Sequence, residues 1–219
     1  MRGRVRSNKC KIFAVYPASY CLLLCNHKCS DSMNETYQIN MLNRNRDHYT
    51  RVTNVLYPFS GLSRIDPVIV ADAAERGTKV HKICEGIVKG LGELDVDEEI
   101  KGYIESFKTW WEKNPEVLIV EQRFWDDDLE LTGQVDLIIN TPDGLAIVDL
   151  KTSSKPSLTW KAQGCAYAYL AKKAGYDIQK VYFVHLNKVG REPRVYEYPI
   201  DDEFFLSIFR VWDHFFKVG

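Results

Sequence analysis

Residues 133–152 read GQVDLIINTPDGLAIVDLKT, two apolar and β-branched runs joined by Thr141-Pro142-Asp143-Gly144. Proline at the second position of that joint and glycine at the fourth are type I turn preferences, so the stretch predicts a β-hairpin. If Asn140 pairs with Leu145, the register carries Asp136 directly across from Asp149, with Cβ atoms roughly 4.5–5.5 Å apart on one face. Lys151 shares the parity of Asp149 and is expected on that face as well. Val135, Leu137, Ala146, Val148 and Leu150 are then expected on the opposite face, in the core. A turn of different length would make the aspartates diagonal neighbours, still close.

Two carboxylates facing each other repel. One account leaves both solvated on an exposed face, or has one protonated or paired with Lys151. The other places a divalent cation between them, since carboxylate oxygens completed by water and a substrate phosphate suit Mg²⁺.

Working outward, VLIVEQRFW (117–125) and ELTGQVDLIIN (130–140) read as strands with a turn at Asp126 to Asp128, so they form a three-stranded meander with GLAIVDLKT (144–152). Upstream, YTRVTNVLYPFSGLSRI (49–65) carries turn signals at Pro58 and Ser60-Gly61. Asp66-Pro67 then reads as the cap and first position of a helix. Val80, Ile83, Cys84, Ile87 and Val88 line one face of it, and Ile100, Tyr103, Ile104, Phe107 and Trp111 line one face of a second helix. Downstream, LTWKAQGCAYAYLAKKAG (158–175) predicts a helix, KVYFVHLNKV and RVYEYPI two strands separated by Gly190, and DEFFLSIFRVWDHFFK a closing amphipathic helix. This order predicts an α/β fold with a mixed central sheet flanked by helices.

The 219-residue chain is 45% hydrophobic and 27% charged, ordinary proportions for a soluble globular protein. Six of its 29 basic residues and none of its 30 acidic residues lie in positions 1–30, so the main domain is acidic. Any nucleic-acid contact must come from a local basic patch, not from the overall field. Residues 1–45 are expected to be a poorly ordered extension, with Met33 or Met41 as alternative starts and residues 46–219 as the domain proper. The extension's basic start and the apolar run Ile12 to Cys25 resemble a signal peptide or a presequence, but Pro17 breaks the run. Its cysteines at 10, 21, 25 and 29 match no zinc or iron–sulfur spacing. Cys84 and Cys165 are expected to be buried, reduced thiols in a cytoplasmic protein with no membrane contact.

Five features together carry a family resemblance. G-x-V-D (133–136) precedes D-L-K (149–151); RGTKVH (76–81) lies on the first long helix; Q-x-x-x-Y (Gln163, Tyr167) lies on the helix after the lysine; and Glu121 sits on the first strand of the meander. In this order the set resembles the PD-(D/E)XK nuclease superfamily, in its RecB-like and lambda-exonuclease-like branch, and phage-encoded members above all. The resemblance runs from about Tyr49 to the end. It implies a restriction-endonuclease-like core and a metal-dependent deoxyribonuclease, above all an exonuclease of phage or bacterial recombination or repair, using Mg²⁺ or Mn²⁺. DNA is then the substrate, a single-strand annealing or other recombination protein a possible partner, and oligomers such as a ring an option.

The resemblance also assigns roles. Asp136 and Asp149 become metal ligands, helped by the main-chain carbonyl of Leu150, and His81 completes the set from the helix. Lys151 orients or helps deprotonate the attacking water and stabilises charge on the phosphate. Gln163 and Tyr167, four apart on one helical face, are suited to hold the lysine or a DNA phosphate. Glu85, one turn after His81, is a candidate to orient its ring, and Glu121 is a candidate partner behind the metal ligands or DNA contact. Arg76 is a candidate phosphate contact. Two alternatives compete with the exonuclease. A CRISPR-associated RecB-like nuclease would resemble its relatives in cysteines after the core, yet none follows Cys165. A non-catalytic DNA-binding subunit would not need the complete Asp136, Asp149 and Lys151 set.

Overall fold

In a computed structural model, which describes residues 46–92, 95–113 and 116–217, the hairpin lies at the centre of one six-stranded mixed sheet. The extension, its four cysteines, Met33 and Met41 fall outside the described residues. The chain runs through strand β1 (Thr50–Arg51), helix α1 (Val52–Leu56), two 3₁₀ turns, α2 (Pro67–Val88) and α3 (Glu98–Trp111). There follow β2 (Val117–Asp126), β3 (Leu131–Thr141), β4 (Gly144–Lys151), α4 (Trp160–Lys173), β5 (Ile178–His185), β6 (Arg194–Tyr198) and α5 (Asp202–Phe215).

The expected register is the observed one: Asn140 pairs with Leu145 and Leu137 with Val148. Strand β2 runs antiparallel along one edge of β3, while β4 runs antiparallel along the other. The first residues of β3 pair in parallel with β1. Strand β5 is parallel to β4, with α4 as the crossover, and β6 is antiparallel to β5. The two-residue β1 and the single turn of α1 are too short to give a periodic signal, so sequence patterning finds only turns there. Strand β5 ends at His185, earlier than its apolar run suggests.

Helices cover both faces. Val80 and Cys84 of α2, with Ile100, Ile104 and Phe107 of α3, pack on Leu137, Ile139, Ala146, Val148 and Leu150. On the other face α1, α4 and α5 pack on Ile138, Ile147, Val181 and Phe183. Helix α2 begins as expected, with the Asp66 side chain accepting the Val68 N–H at 2.8 Å and proline at the first turn. Val135 departs from expectation, since it packs on the α4 side. Strict alternation would place residues 135 and 137 on one face. Opposite this point, between the pairs Val120–Leu137 and Gln122–Val135, Glu121 takes φ 52° and interrupts the pleat.

Gly102 of α3 lies where a Cβ would fall 1.8 Å from the Lys188 carbonyl oxygen. Gly102→Ala is therefore expected to lower the melting temperature, at a cost of about 1–3 kcal/mol, although alanine is the better helix former. An unchanged or raised melting temperature would show that the 187–190 loop yields freely.

Candidate active site

The β3–β4 ladder stops at Leu137–Val148, one pair short of the two aspartates. Beyond it the strands part, and the Asp136 side chain takes over a backbone role: its Oδ2 accepts the Leu150 N–H at 2.6 Å. Its Oδ1 lies 3.0 Å from Nδ1 of His81, which α2 brings across the sheet. Glu121, aimed by its left-handed backbone, joins them. One ligand atom from each of His81, Glu121 and Asp136 lies within 4.8 Å of the others. These three line an open cleft with Ala74, Gly77, Lys82 and Gln134.

Electrostatics bind this group together. Burial opposes the charge on His81, but the Asp136 carboxylate outweighs it and raises the imidazole to about 9. Burial likewise works against the Asp136 anion, and the His81 ring, the Leu150 amide and Lys151 overcome it, holding that carboxyl below its usual range. Glu121 is pushed up, by burial first and by the neighbouring Asp136 next.

Asp149, 3% exposed, belongs to a second cluster. Lys151 Nζ lies 2.6 Å from its Oδ2, but outside hydrogen-bonding geometry, so that buried oxygen retains an unused lone pair. Gln163 is the hub: its Oε1 accepts from Lys151 at 3.0 Å, and its Nε2 reaches Asp149 Oδ1 at 3.3 Å and the Tyr167 hydroxyl at 2.9 Å. The lysine ammonium also sits over the Phe183 ring, 5.3 Å from its centroid. Burial pushes the Asp149 carboxyl up, Lys151 opposes this and Asp136 adds to it. Burial and the Asp149 charge keep the Tyr167 phenol protonated far above its ordinary value. The glycine of G-x-V-D has a steric reason as well. A Cβ on Gly133 would come within 2.9 Å of both Tyr167 Cε1 and Leu170 Cδ1, so only glycine lets α4 approach β3 this closely.

The expected facing pair of aspartates is thus an electrostatic pair divided between two clusters, with Asp136 turned to α2 and Asp149 to α4. The expectation that Glu85 orients His81 is corrected: Glu85 lines the cleft, but its carboxylate is held by Lys89, and Asp136 holds the ring. Leu150 contributes its amide to Asp136, and its side chain is buried in the α2–α3 core. Arg76 is half-buried with its Nε lacking a hydrogen-bond partner. One residue of the cleft, Gln134, and its partner outside it, Arg123, have no precedent in the sequence reading. Their cross-strand pairing was hidden because the β2–β3 turn, where Glu130 takes φ 49°, does not declare its register.

The residues present fit a divalent cation. Ligand atoms within 4.8 Å are spanned by a cation with bonds of roughly 2.0–2.4 Å. One imidazole and two carboxylates form a donor set for a hard to intermediate ion. Asp149 Oδ2 supplies a further buried acceptor with no hydrogen bond.

The chain is thus a three-layer α/β protein whose central hairpin carries two buried acids and a lysine. A family profile, the PD-(D/E)XK nuclease superfamily, matches residues 93–212, more than half of the chain. The chain belongs to that superfamily, whose members are nucleases that generally use divalent metal ions. Among solved structures, SSO0001 is similar at 15% identity over 82% of this chain and 81% of its own, with a TM-score of 0.43. A candidate exonuclease from Eubacterium rectale is 12% identical over 84% of each chain, with a TM-score of 0.34. No curated protein sequence matches the chain.

Proposed function

We propose that residues 46–219 form a Mg²⁺- or Mn²⁺-dependent deoxyribonuclease of the RecB-like and lambda-exonuclease-like branch, an exonuclease of phage or bacterial recombination or repair. The observation that carries this reading is the cluster of His81, Glu121 and Asp136 beside the Asp149, Lys151 and Gln163 cluster. His81, Glu121 and Asp136 would hold the cation, with Asp149 and the Leu150 carbonyl adjoining. When bound, the cation supplies Lewis acidity, lowering the pKa of water and offsetting negative charge at the phosphorus.

The remaining steps belong to the chain. Asp149 and Gln163 hold the Lys151 ammonium on the reacting side, where it orients the attacking water and meets the growing charge on the phosphate. Tyr167 fixes the amide of Gln163. Lys82 on the cleft wall favours a DNA phosphate there, in an otherwise acidic domain. Among the described residues no helix is long and apolar enough to cross a membrane, and the reading places the protein in the cytoplasm.

Linear and covalently closed duplex DNA, each incubated with the protein and Mg²⁺, test the exonuclease assignment. Loss of the linear form alone is the expected result, and nicking of the closed circle would reassign the protein as an endonuclease. Glu121 allows a separate test. A non-glycine residue in the left-handed region carries about 1–2 kcal/mol of strain, which glycine relieves. Glu121→Gly is therefore expected to melt no lower than the parent in chelator while losing at least about tenfold in Mn²⁺ affinity. A lower melting temperature with unchanged Mn²⁺ affinity would contradict a ligand role.

A further inference from the structure

One polar chain, running from Arg123 to the cleft residues Gln134 and Glu121, has no part in the steps above. Arg123 and Gln134 are cross-strand partners on β2 and β3, beside the level of Glu121 and Asp136. Arg123 Nη2 donates to Gln134 Oε1 at 2.5 Å, and Gln134 Nε2 donates to Glu121 Oε2 at 2.5 Å. A guanidinium has donors only, so Arg123 fixes which way the amide points. The amide carbonyl must face Arg123, and its N–H must face Glu121. Glu121 Oε2 is thereby held as an acceptor, and the carboxylate loses its freedom to rotate.

We propose that Gln134, oriented by Arg123, is a positioning residue for the divalent cation, locking the Glu121 carboxylate beside His81 and Asp136; this rests on the metal-site reading above. The brace answers a specific problem. Glu121 and Asp136 are like charges brought together without a hydrogen bond between them, and an unheld glutamate on a flexible stem would turn away from its neighbour. Its own backbone, at φ 52°, is also outside the conformations that regular strand pairing maintains. Gln134 supplies the missing restraint from the adjacent strand, and a partner that holds a ligand in this way commonly changes metal affinity by about 10- to 100-fold.

The test is Mn²⁺ titration followed by electron paramagnetic resonance on the full chain without DNA, alongside melting in chelator. Gln134→Met is expected to raise the Mn²⁺ dissociation constant by about 10- to 100-fold at an unchanged melting temperature. Cleavage at saturating Mn²⁺ should return to within several-fold of the parent, because the lesion lies in metal requirement and not in turnover. Arg123→Met, which frees the amide to flip, is expected to shift affinity in the same direction by less, and it carries the test if Gln134→Met melts too low to titrate. Parental affinity in the folded variants would overturn the brace alone. Failure of the unmodified chain to bind Mn²⁺ would overturn the metal site and the brace with it.

Discussion

Lys151→Ala is expected to slow DNA cleavage by about 10²- to 10⁴-fold, the range lost with a positioned proton-transfer or charge-stabilising group, while Mn²⁺ affinity stays within several-fold of the parent. The prediction follows from where the ammonium is held. It contacts Asp149 Oδ2 at 2.6 Å and Gln163 Oε1 at 3.0 Å, and its side chain is only 19% exposed. His81, Glu121 and Asp136 are held by one another, by Gln134 and by the Leu150 amide, with no hydrogen bond to Lys151. Chemistry and metal binding should therefore separate. Lys151→Arg is not a rescue, because a planar fork cannot replace a point charge between Asp149 and Gln163. Cleavage within threefold of the parent would remove Lys151 from the reacting centre. A parallel loss of Mn²⁺ affinity would mean instead that the two clusters act as one.

The largest expected effect on stability lies outside the site. Asp126, 2% exposed at the end of β2, accepts from the Tyr169 hydroxyl at 2.7 Å, from Lys173 at 3.2 Å and from the amides of Asp128 and Leu129. It ties α4 to the sheet on the side of the domain that carries Gln163 and Tyr167. Asp126→Ala leaves the Tyr169 hydroxyl and the Asp128 and Leu129 amides without their acceptor, although Lys173 keeps Asp128 at 2.9 Å. The substitution is expected to destabilise by about 3–5 kcal/mol, a fall in melting temperature on the order of 10 °C. Burial works against the Asp126 charge, but the hydrogen bonds from Tyr169, the Asp128 amide and Lys173 outweigh it and hold the carboxyl below its usual value. Its contribution is then present above the unfolded-state pKa of about 3.9 and disappears as pH falls through the lower folded value. The stability gap between parent and variant should accordingly be full at pH 7 and narrow below about pH 4. A constant gap across that range would mean that Asp126 acts by packing and not by charge.

Much of this architecture is legible in the residues. The alternation and turn chemistry of residues 133–152 specify the hairpin's pairing, and a one-residue slip would turn Ile138 and Ile147 from the α4 side to the α2–α3 side. The 3.6-residue periodicity specifies α2, α3 and α5, since each has one face to bury, and the Asp66-Pro67 cap fixes where α2 begins. What escaped depends on tertiary geometry. The left-handed backbone of Glu121 obeys no local propensity, and it lies opposite the point where Val135 turns to the other face and Asp136 comes within 4.8 Å of Glu121. The resemblance implies that Gln163 and Tyr167 hold the lysine or a DNA phosphate, and Gln163 Oε1 accepts from Lys151. Arg123 and Gln134 were not anticipated, since their pairing exists only once β2 is in register with β3. Asp126 read as a turn residue, and only burial beneath α4 made it structural.

On the proposed function, a divalent cation held by His81, Glu121 and Asp136 would be required for phosphodiester hydrolysis. End-labelled linear duplex DNA should be incubated with the protein in Mg²⁺, in Mg²⁺ with excess EDTA, and with the Asp136→Asn variant in Mg²⁺. Release of label in the first reaction and its absence in the other two is the expected result. Equal release in all three, or intact DNA in the first with either Mg²⁺ or Mn²⁺, would contradict it.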